Sequence, residues 1–296
     1  MPGWAADAGL SVQTDLANPS TRPGLRLPGR VTLTASLGAL RVDGVRLGLV
    51  VRVEGADGGQ SLVEFHRAPV AGPFVLAAGE RRVVPFALPV PWETPLTVVA
   101  DKAPLGLRMG LRTEVPMGSE PVRAPLGPAV AADELRPLFV HALPAQAGIL
   151  DTLAELGFEL RQAALRAGRL PGVRQAFGFH QVIGYWAAPM YAGPMNELEV
   201  TLVTDAYGVE AILWLDRRLA LSGGGHTSIS RFRVNHVGAD RTDWSKVLDG
   251  WLRRAIDRHA AAASQFRAHP HLTESPQVSR RPDPQEQGGD PGATAG

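Results

Sequence analysis

Asn196-Glu197-Leu198-Glu199-Val200-Thr201-Leu202-Val203 alternates polar and apolar residues, and Val209-Glu210-Ala211-Ile212-Leu213-Trp214-Leu215-Asp216 answers it across Asp205-Ala206-Tyr207-Gly208. Two period-2 runs separated by a turn signal predict an antiparallel hairpin. The alternation predicts that Leu198, Val200 and Leu202 point inward, and it puts Glu197 and Glu199 together on the opposite, solvated face.

The same pattern extends outward in both directions. Upstream, Phe158–Ala163 and Phe177–Trp186 alternate, and downstream so does Arg231–Val237. A short helix is expected near 147–156, with Ile149, Leu150, Leu153 and Leu156 on one face and Gly157 as its stop. A second is expected over 242–258, where Trp244, Val247, Leu248, Trp251, Leu252 and Ala255 recur at helical spacing.

The first half reads as strands alone. Leu10–Leu16, Arg30–Leu37, Val45–Val53, Ser61–Ala68, Pro73–Leu76, Arg82–Val90 and Leu105–Val115 are apolar-alternating runs separated by Gly, Pro and Asp. Their spacing is that of a sandwich, and a βαβ unit is disfavoured because no helical period is sustained between them. Pro85 and Pro89 suit an edge strand. Proline-punctuated residues 116–148 read as a connection, within which Leu138-Phe139-Val140 can pair as a strand. The expected fold class is therefore mainly β: two tandem antiparallel β-sandwiches with a few short helices. A lead-in occupies 1–9, the first sandwich 10–128, the second 129–259, and a disordered tail, rich in Pro, Gly and Gln, 260–296.

Composition excludes several classes of function. The 296 residues carry 30 Lys+Arg against 29 Asp+Glu, so bulk charge gives no reason to bind nucleic acid. With no cysteine there is no disulfide framework, thiolate nucleophile or cysteine-ligated zinc. Met1–Gly9 lacks the basic start of a signal peptide, and no apolar window is long enough for a transmembrane segment, so a cytoplasmic location is expected.

Candidate chemistry is sparse. His180, His226 and His236 lie near Asp240 and Asp243 in sequence, but at no metal-ligand spacing, and the phase of His180 and His236 puts them on the solvent side. His269-Pro270-His271 falls in or beside the tail. Ser222-Gly223-Gly224-Gly225-His226-Thr227-Ser228 lacks the lysine of a phosphate-binding loop and the Gly-x-Ser-x-Gly of a nucleophile elbow, so a long hairpin loop is the simpler reading. It is nonetheless where an enzyme or carrier site for a metal or small ligand would sit. No catalytic residue, metal ligand or cofactor is assigned. Trp92, fixed between prolines in Pro91-Trp92-Glu93-Thr94-Pro95, is either a cap on the sandwich or a rigid anchor for a partner.

Several segments together carry a family resemblance. They are Val70–Phe74, Pro85–Thr97, Leu143–Gln146 with Leu150–Leu153, Gly157-Phe158, Tyr191–Gly193, Asn196–Thr201 and Asp249–Trp251. In this order, over about 10–256, the chain resembles the bacterial sporulation-control protein family of the stage-zero M type, which is similar to arrestins. The resemblance implies a cytoplasmic, non-enzymatic regulatory or scaffold protein in sporulation or cell-cycle control. Other proteins are its expected partners, with homodimerisation among the expected assemblies. The surfaces such a protein would offer are strands Arg82–Val90 and Glu197–Val203, both expected at edges, and the Trp92 loop. Trp92, Glu93, Glu197 and Glu199 are the candidate partner-contact residues.

Overall fold

The computed structural model describes residues 9–99, 107–117, 120–125, 138–221 and 226–268. In chain order the first half contains β1 Leu10–Leu16, β2 Ser20–Thr21, β3 Arg26–Ala35, β4 Leu40–Val42, β5 Val45–Glu54, β6 Gln60–Ala71, β7 Phe74–Leu76, β8 Arg81–Pro89, β9 Met109–Met117 and β10 Glu120–Pro125. The second half contains β11 Phe139–Val140, α1 Pro144–Glu155, β12 Glu159–Ala167, β13 Phe179–Trp186, β14 Glu197–Thr204, β15 Gly208–Leu215, α2 Arg217–Leu221, β16 Ser228–Asn235 and α3 Trp244–Ala268.

The first half is a sandwich. One layer is β1-β3-β8; the other is β10-β9-β5, with β6 also paired to β5. Alternation in β8 turns Val84, Phe86 and Leu88 inward and leaves Pro85 and Pro89 on the exposed edge. Leu27, Val31 and Leu33 of β3 join Leu47, Leu49 and Val51 of β5 in the core between the layers. A Thr14–Thr113 hydroxyl hydrogen bond of 2.6 Å ties β1 to β9 within it. β9 matches the expected strand Leu105–Val115, β10 pairs antiparallel with it from inside the stretch 116–148 expected to be a connection, and β11, where Leu138–Val140 was expected to be able to pair, pairs in parallel with β2.

In the second half, β12 to β16 form one antiparallel run in sequential order. The Asn196–Asp216 hairpin is present as predicted, and its register sets Leu198 opposite Leu215 and Val200 opposite Leu213. Among the described residues, the layer over the inner face of this sheet is helical: α1 and α3 bring Ile149, Leu153, Leu248, Trp251 and Leu252 against Val200, Leu213 and Phe232. α1 starts earlier than the apolar pattern shows. Pro144 opens it, and the Gln146 side chain accepts a hydrogen bond from the Leu143 amide at 2.9 Å.

α3 runs to Ala268, beyond the 258 expected. The apolar stripe fades at Ala260, but Ala260–Ala263 are strong helix formers that need no buried face to continue. The lead-in, the proposed boundary at 128/129 and the remainder of the tail lie outside the described residues.

A single parallel pair, Arg166 opposite Glu54, joins β12 to β5, so the main sheet runs through both halves. The halves also share an aromatic contact. Phe65 of β6 meets the rings of Phe177 and Phe179 edge-on, at 5.1 and 5.9 Å.

Candidate functional site

Trp92 and Glu93 lie on this seam. The segment from Trp92 to Leu96 leaves β8 and crosses to the second half. The Trp92 ring stacks on His236, just past β16, with centroids 5.6 Å apart. Both carboxylate oxygens of Glu93 accept from the Ala176 amide, at 2.7 and 2.9 Å. Burial pushes the Glu93 carboxyl above its ordinary value, against these backbone bonds and Arg169. Leu96 and Gln181 exchange two hydrogen bonds: the Leu96 amide donates to Oε1 at 2.9 Å, and Nε2 donates to the Leu96 carbonyl at 2.8 Å. A cavity of about 20 Å3, room for one water, remains between this segment and β13–β14.

The Trp92 tip is not wholly consumed by the seam. Trp92 is 37% exposed, and it lies over Gly24, next to Leu25, which is 53% exposed. On the other side of the stack, the His236 amide bonds the Tyr207 carbonyl at 3.0 Å. Tyr207 and Val237, the latter adjacent to His236, are 79% and 90% exposed. The rim of the Trp92–His236 stack thus carries exposed apolar residues from both halves, each next to a stacked or contacting residue in sequence or through a backbone bond.

Glu197 and Glu199 differ from the sequence expectation in two respects. β14 lies between β13 and β15 rather than at an edge, and both carboxylates are buried, each 1% exposed. The reason is arginine. Arg166 holds Glu199 through two parallel bonds of 2.9 and 3.0 Å. Arg161 Nη2 stands 3.8 Å from Glu199 and 3.9 Å from Glu197, and Arg217 Nη1 stands 3.8 Å from Glu199. Glu197 accepts from the side chain and amide of Arg218, at 3.1 and 2.8 Å. Trp186 and Trp214 complete the cover: Arg161 and Arg218 lie over the first ring, Arg217 over the second. A polar alternation is ambiguous between a wet face and a face covered by opposite charge. The arginines at 161, 166, 217 and 218 were the signal for the second.

His180 is likewise buried rather than solvent-facing, because the 168–178 loop folds over this side of the sheet. Its Nδ1 is 3.1 Å from the Gly168 carbonyl, and Leu170 of the loop packs with Val203 and Ile212. Burial holds the His180 imidazole below its ordinary value, with Arg217 and Arg166 adding to the effect.

Near the Ser222–Ser228 loop the structure assembles a chain that spacing alone did not reveal. Ser228 Oγ is 3.1 Å from His259 Nδ1, and His259 Nε2 is 3.1 Å from Asp216 Oδ2. His226 stacks on His259 at 4.1 Å. Burial, then His226, lowers the His259 pKa. Asp216 adopts φ 52°, and its Oδ1 accepts from the amides of Asn196 and Glu197 at 2.8 and 2.9 Å. Ser222–Gly225 and His269–His271 lie outside the described residues. Among the described residues, no cluster of three or more His, Cys, Asp or Glu could hold a metal ion, and no helix is long and apolar enough to cross a membrane.

Comparison with known proteins follows the same lines. The sporulation-control protein spo0M of Bacillus subtilis (strain 168) is 28% identical over 229 residues, covering 72% of this chain and 79% of that protein. The crystal structure of Spo0M, sporulation control protein, from Bacillus subtilis superposes with a TM-score of 0.67 at 21% identity, covering 85% of this chain and 99% of that one. The fold is thus mainly β and arrestin-like, as the resemblance implied. The family profile described as SpoOM protein matches residues 8–219, and the chain belongs to that sporulation-control family.

Proposed function

We propose that the protein is a non-enzymatic regulator that acts by binding another protein, in sporulation or cell-cycle control. The observation that carries this reading is the rim of Leu25, Trp92, Tyr207 and Val237 around the Trp92–His236 stack. Exposed apolar residues of both halves around one stack carry a hydration cost that a covering partner relieves. Trp92 and Glu93 serve it by fixing the two halves relative to each other. Glu197 and Glu199 serve it indirectly, by ordering the arginines above them. A cytoplasmic location, and a second copy of the chain as one occupant of the rim, belong to this proposal.

The test is affinity capture with tagged protein from the native host, comparing wild type, Tyr207→Ser/Val237→Ser and a Leu37→Ser control. A partner retained by wild type and the control, and lost from the double variant, supports the reading. Equal recovery by all three, or by none, overturns it. Light scattering of the purified chain identifies a self-association that uses the rim.

A second reading is an enzyme or carrier with a small-ligand site at the Ser222–Ser228 loop. The Ser228–His259–Asp216 chain favours it, since a buried acid orienting a histidine toward a hydroxyl is a nucleophile arrangement. Labelling of Ser228 by a fluorophosphonate probe supports this reading, and its absence retires it.

A further inference from the structure

The cover over Glu197 and Glu199 is out of balance. The guanidinium groups of Arg161, Arg166, Arg217 and Arg218 face two carboxylates, an excess of two positive charges in one cluster. The hydrogen bonds are uneven as well. Arg166 and Arg218 spend theirs on the glutamates, whereas Arg161 Nε and Nη2 and Arg217 Nη1 are buried without an acceptor. The Arg161 side chain is nine-tenths buried. It fits because residue 184 is glycine: a Cβ there would come within 2.8 Å of Arg161 Nη2. Glu197 and Glu199 stand at 3.9 and 3.8 Å from Arg161 Nη2, beyond hydrogen-bond reach, so its buried donors carry a desolvation cost that an added acceptor would offset.

The cluster also opens to solvent on one side. Trp186 is 43% exposed and has the Arg161 and Arg218 guanidiniums 5.4 and 5.5 Å from its ring centre. The Arg218 side chain is 51% exposed. This is the side from which a side chain of another protein would reach the cluster.

We propose that Arg161, Arg217, Arg218 and Trp186 form a docking site for neighbouring Asp or Glu side chains on an acidic segment of a partner protein. One carboxylate takes the idle donors of Arg161 beside Trp186, and a second takes Arg217. Glu199 on Arg166 already shows the bidentate geometry such a carboxylate adopts. The two groups belong to separate arginines, Arg161 near Glu199 Oε1 and Arg217 near Oε2, so two monoanions of a peptide, one per arginine, are the occupant proposed rather than a single phosphoryl dianion. The site deepens the partner-binding reading, on which it rests, by naming the chemistry of the partner.

The experiment is fluorescence anisotropy with the full chain and a labelled Glu-rich peptide, its Gln counterpart and a phosphoserine counterpart. The Glu peptide is expected to bind, with a salt-sensitive affinity, and the Gln peptide not to. Arg218→Gln should weaken the Glu peptide roughly fivefold or more. In case that variant folds poorly, phenylglyoxal modification of Arg218 in the wild-type protein, read by mass spectrometry, should slow when the Glu peptide is present. Equal binding of the Gln peptide, tighter binding of the phosphoserine peptide, or unchanged Arg218 reactivity overturns the proposal. If partner capture at the Tyr207/Val237 rim persists while the Glu peptide fails to bind, this site alone is rejected. If the peptide binds and the rim variants capture normally, the rim is rejected and the arginine site stands.

Discussion

Arg166 grips Glu199 through two parallel hydrogen bonds on a strand that is covered on both faces. The pair is part of an ion cluster, so its two halves are not equivalent. Arg166→Leu leaves Glu199 facing Arg161 and Arg217 at 3.8 Å. Glu199→Leu leaves four guanidiniums with only Glu197 to balance them. Urea unfolding should show about 2 kcal/mol lost for the first and about 4 kcal/mol for the second. The reverse order would contradict the cluster as described.

The double hydrogen bond between Leu96 and Gln181 predicts how the seam is held. Gln181→Ala removes both bonds and should cost about 1–2 kcal/mol. In hydrogen exchange, the Leu96 amide should speed up while the Ala176 amide, held by Glu93, keeps its protection. Uniform loss of protection at both would mean that the segment does not cross the seam as two independent attachments.

Acid should destabilise the fold below neutrality. His66, His180 and His259 are each held below the ordinary imidazole value of 6.5, with burial the largest cause. As pH falls through 6.5 the unfolded chain takes up protons before the folded one, so stability rises with pH in that window and is lost on acidification. Glu93, raised by burial, has the opposite sign: its contribution weakens as pH rises above 4.5. The urea midpoint at about pH 5.5 should fall below that at about pH 7.5, and His259→Asn should flatten the difference. An unchanged midpoint would place these histidines in solvent.

Gly148 of α1 packs against Trp244 of α3. A Cβ at this position would collide with the Trp244 indole, whose Nε1 donates to the Ala239 carbonyl at 2.9 Å. Gly148→Ala raises helix propensity, yet it should lower stability by about 1–3 kcal/mol, measured by thermal or urea unfolding. A stabilised variant would show that the two helices do not touch there.

Strands were legible wherever one face is apolar, as in Leu198/Val200/Leu202 and Val84/Phe86/Leu88, because alternation records burial directly. Alternation does not record what lies over the polar face. Glu197, Glu199 and His180 were therefore expected in water, and the arginines and the 168–178 loop that bury them come from elsewhere in the chain. The central position of β14 is a matter of pairing, which no single strand carries. Ser228, His259 and Asp216 meet only because α3 folds back on the sheet, and His259 stands just before a run of alanines with no motif around it. Trp92 was singled out by its flanking prolines, but that local signal could not say that it would stack on His236 from the other half.

The most direct test of partner binding at the rim is photo-crosslinking in the native host, with a benzoylphenylalanine placed at Tyr207 and, separately, at Leu37, which are exposed to the same extent, 79% and 78%. A discrete crosslinked product from position 207 and none from position 37 is the predicted result. No product from position 207, or the same products from both, would contradict it.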